Sequence, residues 1–153
     1  MPLVLTMISC GPSLKQKKDD ASIHFKMGVV YFNDRNYADA LKELTAAIET
    51  YPDDPSYHNA LGLAYFARGL NQDAIKHMQT AINLDINYSE AYLNISAVYI
   101  VEKDWDKAIA SAKEALKNVF YRTPHYAHYN LAVGYLNKGE YSKAVESYTN
   151  AVR

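Results

Sequence analysis

Four tyrosines, Tyr31, Tyr65, Tyr99 and Tyr135, recur at spacings of 34, 34 and 36 residues, and each is followed nine positions later by an alanine: Ala40, Ala74, Ala108 and Ala144. Ala47, Ala81, Ala115 and Ala151 keep the same spacing, and Gly28, Gly62, Ser96 and Ala132 form a further series of small residues. One supersecondary unit is therefore written four times. Such a unit cannot bury its apolar face alone, so neighbours must stack and share a continuous core. Two antiparallel helices per unit, A and B, explain the residue types. Small residues belong where helix axes come within roughly 8–10 Å. The tyrosines fill the space beside them, and each hydroxyl needs only one polar partner or water. Leu44, Met78 and Tyr148, with Ile48, Ile82, Leu116 and Val152, give helix B an apolar stripe at helical spacing.

Helix ends agree with that frame. Asp20 is expected to cap the first helix, Asp54-Pro55 the second unit and Thr123-Pro124 the fourth, the last two pairing an N-cap with a proline at the first helical position. Gly69 and Gly139 fall in the A–B turns, where a positive φ ends a helix at little steric cost. The units read as 21–54, 55–88, 89–122 and 125–153, with a two-residue insertion before the last and residues 1–20 outside the repeats. A 34-residue helical period resembles the tetratricopeptide repeat, which implies an all-α, right-handed solenoid of about four helix-turn-helix units. Repeat four is incomplete at Arg153 and its last helix carries Val145, Tyr148 and Val152 on an apolar side. Either the native chain continues or that face finds a partner, and self-association through this uncapped helix is expected.

Composition excludes several functions. The 16 basic and 17 acidic residues are mixed along the 153-residue chain, so no basic stripe suits nucleic acid and no polybasic patch suits a membrane surface. No 18-residue apolar run occurs. His24, His58 and His128 share one repeat position where repeat three has Tyr92, which argues for packing. His125 and His128 lie one helical turn apart, but no cysteine or carboxylate is spaced to complete a metal site. No GxSxG, HExxH, P-loop or Gly-rich dinucleotide motif is present. An enzyme, a metal or a cofactor is not expected.

The first twenty residues have a different character. Pro2 to Ile8 is apolar, Ser9-Cys10-Gly11 follows, and a polar stretch runs to Asp20. This resembles a bacterial lipoprotein signal, with Cys10, the only cysteine, as lipid acceptor. It departs from that pattern in having no positive charge before the apolar run. The competing reading is an ordinary N-terminus with a free thiol. If Cys10 is acylated, the linker to Ala21 reaches at most on the order of 35 Å, and Gly11 favours the outer membrane.

The repeat resemblance also implies a binding surface. In such solenoids helix A lines the concave face, with the second, fifth, ninth and twelfth residues of each repeat pointing inward. Here Phe25, Phe32, Asn59, Phe66, Leu93, Tyr126 and Tyr129 are the contact candidates; Val29, Leu63, Ala97 and Val133 are expected to pack one helix A on the next. Phe25 and Val29 stand where the family's chaperone-tail binders carry a lysine and an asparagine, so a terminal-carboxylate ligand is disfavoured. An amphipathic helix or an extended apolar segment suits this groove.

The segment Asn118 to Leu131, with Tyr121-Arg122-Thr123-Pro124 and then Asn130-Leu131, resembles an element of the type IV pilus pilotin family. That resemblance implies an outer-membrane lipoprotein, facing the periplasm, that assists assembly of pilus secretin subunits. Its members have about six repeats, so this chain would hold only part of the partner surface. The alternatives are a soluble, cytoplasmic tetratricopeptide adaptor for an unrelated partner and a regulatory domain of a larger enzyme.

Overall fold

A computed structural model of the chain describes residues 11–153, so Cys10 and the apolar run before it lie outside the described residues. Eight helices and no strand occur among the described residues: α1 (Leu14–Asn33), α2 (Tyr37–Thr50), α3 (Pro55–Ala67), α4 (Asn71–Leu84), α5 (Ser89–Val101), α6 (Trp105–Ala115), α7 (Pro124–Asn137) and α8 (Tyr141–Ala151). They pair as hairpins α1–α2, α3–α4, α5–α6 and α7–α8. Each helix B then packs on the next helix A, and successive A helices also touch, whereas no B helix touches another. A stack that closes on one side and opens on the other must curve, which places α1, α3, α5 and α7 on the concave face.

Within each hairpin the small series does what its chemistry suggests. A Cβ added at Gly28 would lie 2.6 Å from Leu44 Cγ, and one at Gly62 would lie 2.7 Å from Met78 Cγ and 3.0 Å from the Ala74 carbonyl. Leu44 and Met78 are wholly buried, so a glycine on helix A is matched by a large residue on helix B. Repeat three inverts the sizes. Its helix A carries Ser96 and its helix B Ala112, both fully buried, and the Ser96 hydroxyl donates a 2.8 Å hydrogen bond to the Ala108 carbonyl. Repeat three thus packs a smaller pair at the same two positions and closes it with a hydrogen bond.

All four A–B turns share one geometry. Arg35, Gly69, Lys103 and Gly139 have φ of 59°, 74°, 60° and 76°. In each turn the next residue, Asn36, Leu70, Asp104 or Glu140, donates its N–H to the carbonyl of the repeat tyrosine at 2.9–3.0 Å. The positive-φ residue donates to the carbonyl one position after that tyrosine, giving a complete Schellman motif. That next residue is also the N-cap of helix B. Asn36 and Asp104 accept from Asp39 N–H and Lys107 N–H, whereas Leu70 and Glu140 make no side-chain cap. Only the turns of repeats two and four were legible as glycines. Because a left-handed conformation costs about 1–2 kcal/mol outside glycine, partly offset by glycine's larger unfolded-state entropy, Arg35→Gly and Lys103→Gly should each stabilise by about 0.5–1 kcal/mol. A higher denaturant midpoint at unchanged slope is the expected result, and a lower midpoint would refute it.

Two expected caps turn out differently. Helix α1 begins at Leu14, with the Ser13 hydroxyl accepting from Gln16 N–H at 3.2 Å, so Asp20 lies inside the helix and caps nothing. Lys15, Gln16, Lys17 and Lys18 are good helix formers, and the helix simply extends through them into solvent. Seven residues that were to be linker rise only about 10 Å as helix. Thr123 does occupy the N-cap of α7, ahead of Pro124, but its side chain makes no capping bond. Asp54 caps α3 as expected, accepting from Ser56 N–H at 2.9 Å.

Candidate functional site

The concave face is built by the A helices, and it is apolar at its N-terminal end. Between α1 and α3 lies a hollow of about 220 Å³ lined by Val29, Phe32, Asn33, Leu44, Ala60 and Leu63, with no charged group in its wall. Helical periodicity produces it: Val29 and Phe32 lie one turn apart on α1, Ala60 and Leu63 one turn apart on α3. Alanine at position 60 leaves the room that a larger residue would fill. Phe32 also leans on Tyr37, ring centroids 5.7 Å apart, which fixes the mouth of the hollow.

The other residues expected at this surface divide into three groups. Phe25 lies tilted against Tyr57 with centroids 4.8 Å apart and, like Phe66 and Leu93, is half-buried against the core. Tyr126 and Tyr129 are exposed on α7; Tyr126 lies against His125 and Tyr129 meets Tyr148 edge-on. Asn59 is buried: its side-chain oxygen accepts from Asn94 Nδ2 at 2.9 Å, tying α3 to α5. The equivalent of Asn94, Asn130, donates to the Leu93 carbonyl at 3.4 Å and ties α5 to α7. These carboxamides hold successive A helices at a fixed separation, an arrangement the sequence offered only as two asparagines 36 residues apart. Burial, with the nearby Glu90 and Asp54 carboxylates, pushes the Tyr88 hydroxyl up to about 12.

The repeated histidines do not share one role. His24 Nδ1 lies 2.7 Å from Glu43 Oε2 at a half-exposed site. His58 is buried, with Nε2 2.9 Å from the Pro52 carbonyl, and its ring stacks on His77, which stacks in turn on Tyr65. Burial, with His58 beside it, holds His77 below the usual imidazole range, and burial alone does the same to His128. Among the described residues no three His, Cys, Asp or Glu side chains gather as a metal site.

The lengthened third junction is well organised. Asn118 Nδ2 donates to the Asn87 carbonyl at 2.9 Å while its side-chain oxygen accepts from Phe120 N–H at 3.0 Å. Tyr121 turns inward against Ala115 and Ala127, whereas Val119 and Phe120 stand almost wholly in solvent. Tyr121, Asn130 and Leu131, which carry the family-like pattern, are thus all buried.

Two matches to the tetratricopeptide repeat, over residues 25–92 and 127–153, agree with this architecture. No curated protein matches the sequence. Among solved structures the chain is similar to MamA (TM-score 0.78, 23% identity, covering 90% of this chain and 84% of that one). It is also similar to PilF of Pseudomonas aeruginosa (TM-score 0.85, 19% identity, 90% and 62%). A third likeness is to PilW, a widely conserved type IV pilus biogenesis factor (TM-score 0.81, 16% identity, 86% and 60%). The chain therefore spans less than two thirds of PilF and PilW, and at these identities the likeness is one of fold.

Proposed function

We propose that this chain, which carries tetratricopeptide repeats, is a non-catalytic scaffold that receives an apolar segment of a partner protein in its helix A groove. The observation that carries this reading is the uncharged hollow between α1 and α3, open on the face where successive A helices meet. A groove with no charge in its wall selects by shape and apolar burial.

The finer reading is a pilotin-like lipoprotein. Acylation of Cys10 would hold the solenoid at the periplasmic side of an outer membrane, and the partner would be a secretin subunit of the type IV pilus. Three things support it: the sequence around Cys10, the Tyr121-to-Leu131 junction, and a fold shared with a type IV pilus biogenesis factor. No helix among the described residues is long and apolar enough to cross a membrane, so a membrane association through them would have to be peripheral. The second reading is a soluble adaptor with an unrelated peptide ligand, and the similarity to MamA over most of that chain's length is equally compatible with it.

Intact mass and membrane fractionation in the native host, beside Cys10→Ser, separate the two. The expected result is a mass raised by the lipid and recovery in the outer membrane, both lost in the variant. A soluble chain with an unmodified thiol would remove the tether and leave the adaptor reading.

A further inference from the structure

One pair of positions, 19 residues apart, recurs in every hairpin: His24 and Glu43, His58 and His77, Tyr92 and Ser111, His128 and Ser147. In repeat one the pair is complementary, with His24 Nδ1 2.7 Å from the Glu43 carboxylate. In repeat two like meets like, the His58 and His77 rings stacking with centroids 5.9 Å apart and planes 22° apart. A carbonyl can only accept, so His58 Nε2 donates its hydrogen to Pro52 and the neutral ring keeps a lone pair on Nδ1. That Nδ1 and the Nδ1 of His77 are both buried, with no hydrogen-bond partner among the described residues. Charging either ring puts an N–H at Nδ1, where it finds no acceptor and carries the penalty of a buried, unsatisfied donor. Charging both sets two cations against each other across the stack.

Little in the surroundings offsets this. On α4, His77 has Asp73, which favours its charged form, and Lys76, which opposes it; from α3, Tyr65 stacks on it at 5.4 Å, and a ring face favours a cation. Helix α5, which also packs on α4, brings Tyr92 and Tyr99 to the shared core, and its one carboxylate, Glu90, acts on Tyr88 and Tyr121 instead. On the α2 side Glu43 is held by His24 and Asp54 caps α3, while Asp39, Lys42, Glu49 and Asp53 are exposed. Apart from His24, the charged side chains of α1 are exposed as well.

We propose that the His58–His77 pair makes repeat two an acid-sensitive joint, so that the α3–α4 hairpin loosens before the other three as the pH falls from 7 to 5. The sign follows from proton linkage. Opened, both imidazoles meet water and take up protons below about pH 6.5, whereas the closed hairpin resists them, so packing that is complete above that pH is lost below it. Burial acts on His128 too, but Ser147 stands opposite it and no second imidazole adds to the effect. Helix α3 also walls the hollow with Ala60 and Leu63 and carries the Asn59 tie, so acid acts on the groove from within the fold. This inference is independent of the tethered-scaffold reading, since neither Cys10 nor a partner takes part.

The test is amide hydrogen exchange of the 153-residue chain at pH 7 and pH 5, each rate divided by its intrinsic value at that pH. One extra proton bound on opening shifts the opening equilibrium about tenfold per pH unit. Protection in α3 and α4 should therefore fall by about tenfold or more relative to α5 and α6. His77→Glu rebuilds the pair of repeat one and gives His58 Nδ1 the acceptor that His24 has in Glu43, so the selective loss should disappear. His77→Phe keeps an aromatic ring in the stack but cannot titrate, and it should also abolish most of the loss; circular dichroism checks that both variants are folded. Equal protection changes in all hairpins of the parent, or a loss in α3 and α4 that persists in whichever variant folds, would overturn the proposal.

Discussion

Met78→Ala is expected to destabilise the fold by about 2–5 kcal/mol, the range for truncating a fully buried methionine where the site cannot collapse. Met78, on α4, is wholly buried against Gly62 of α3 and belongs to an apolar cluster with Ala74, Ile82, Ile95 and Val98. Since whole domains are stable by only about 5–15 kcal/mol, this one change removes a large share. Gly62→Ala is expected to cost about 1–3 kcal/mol by the opposite mechanism, forcing a Cβ to within 2.7 Å of Met78 Cγ. The informative variant is the double. Removing Met78 vacates the space that the new Cβ needs, and repeat three already packs a small pair, Ser96 and Ala112, at the equivalent positions. The double should therefore be less destabilised than the sum of the singles by at least about 1 kcal/mol. Urea unfolding of the four proteins measures it, and strict additivity would mean that the two residues do not share a volume.

The second large effect is a contrast between equivalent residues. Ile109 and Val145 occupy one position of helix B, yet Ile109 is 7% exposed and Val145 66%. Ile109 packs with Leu131 and Tyr135, and a Cβ on Gly134 would lie only 2.6 Å from its Cγ1, so helix α7 sits directly upon it. Ile109→Ala should cost about 2–4 kcal/mol. Val145→Ala, in dilute protein, should lie within about 0.5 kcal/mol of zero, because it loses little buried area and alanine is the better helix former. Thermal or urea unfolding at low concentration decides. Similar losses at both sites would mean that the repeat position, and not its neighbour, sets the energy.

Periodic features were legible because they are properties of the repeat. The tyrosine and alanine series and the glycines at 69 and 139 each follow from a requirement met once per unit. Features belonging to a single repeat were not. Arg35 and Lys103 take the same left-handed conformation without the glycine that would advertise it. The start of α1 falls earlier than expected because Asp20 matched the repeat frame, whereas the roughly two extra turns of polar residues before it belong to no repeated spacing that could reveal them. At the candidate groove, the inward positions were readable from helical phase, but whether a given side chain faces a ligand or a neighbour depends on residues 34 or more positions away. Asn59 is the example: its register is that of a contact residue, and Asn94 turns it into a tie.

The A–B turn has no spare residue. Asn36, Leu70, Asp104 and Glu140 each close the Schellman motif of one helix with the N–H and start the next with the carbonyl, which accepts from Ala40, Ala74, Ala108 or Ala144, so lengthening that turn by a single residue would separate two functions held at one backbone position. The B–A turns carry no such double duty, and the one length change in the array falls there, ahead of Pro124, where Val119 and Phe120 loop into solvent. The hairpin is thereby the indivisible coin of this architecture and the B–A junction its seam. Gene duplication, insertion of a new recognition loop, or an engineered graft can open the chain at the seam and leave every hairpin whole.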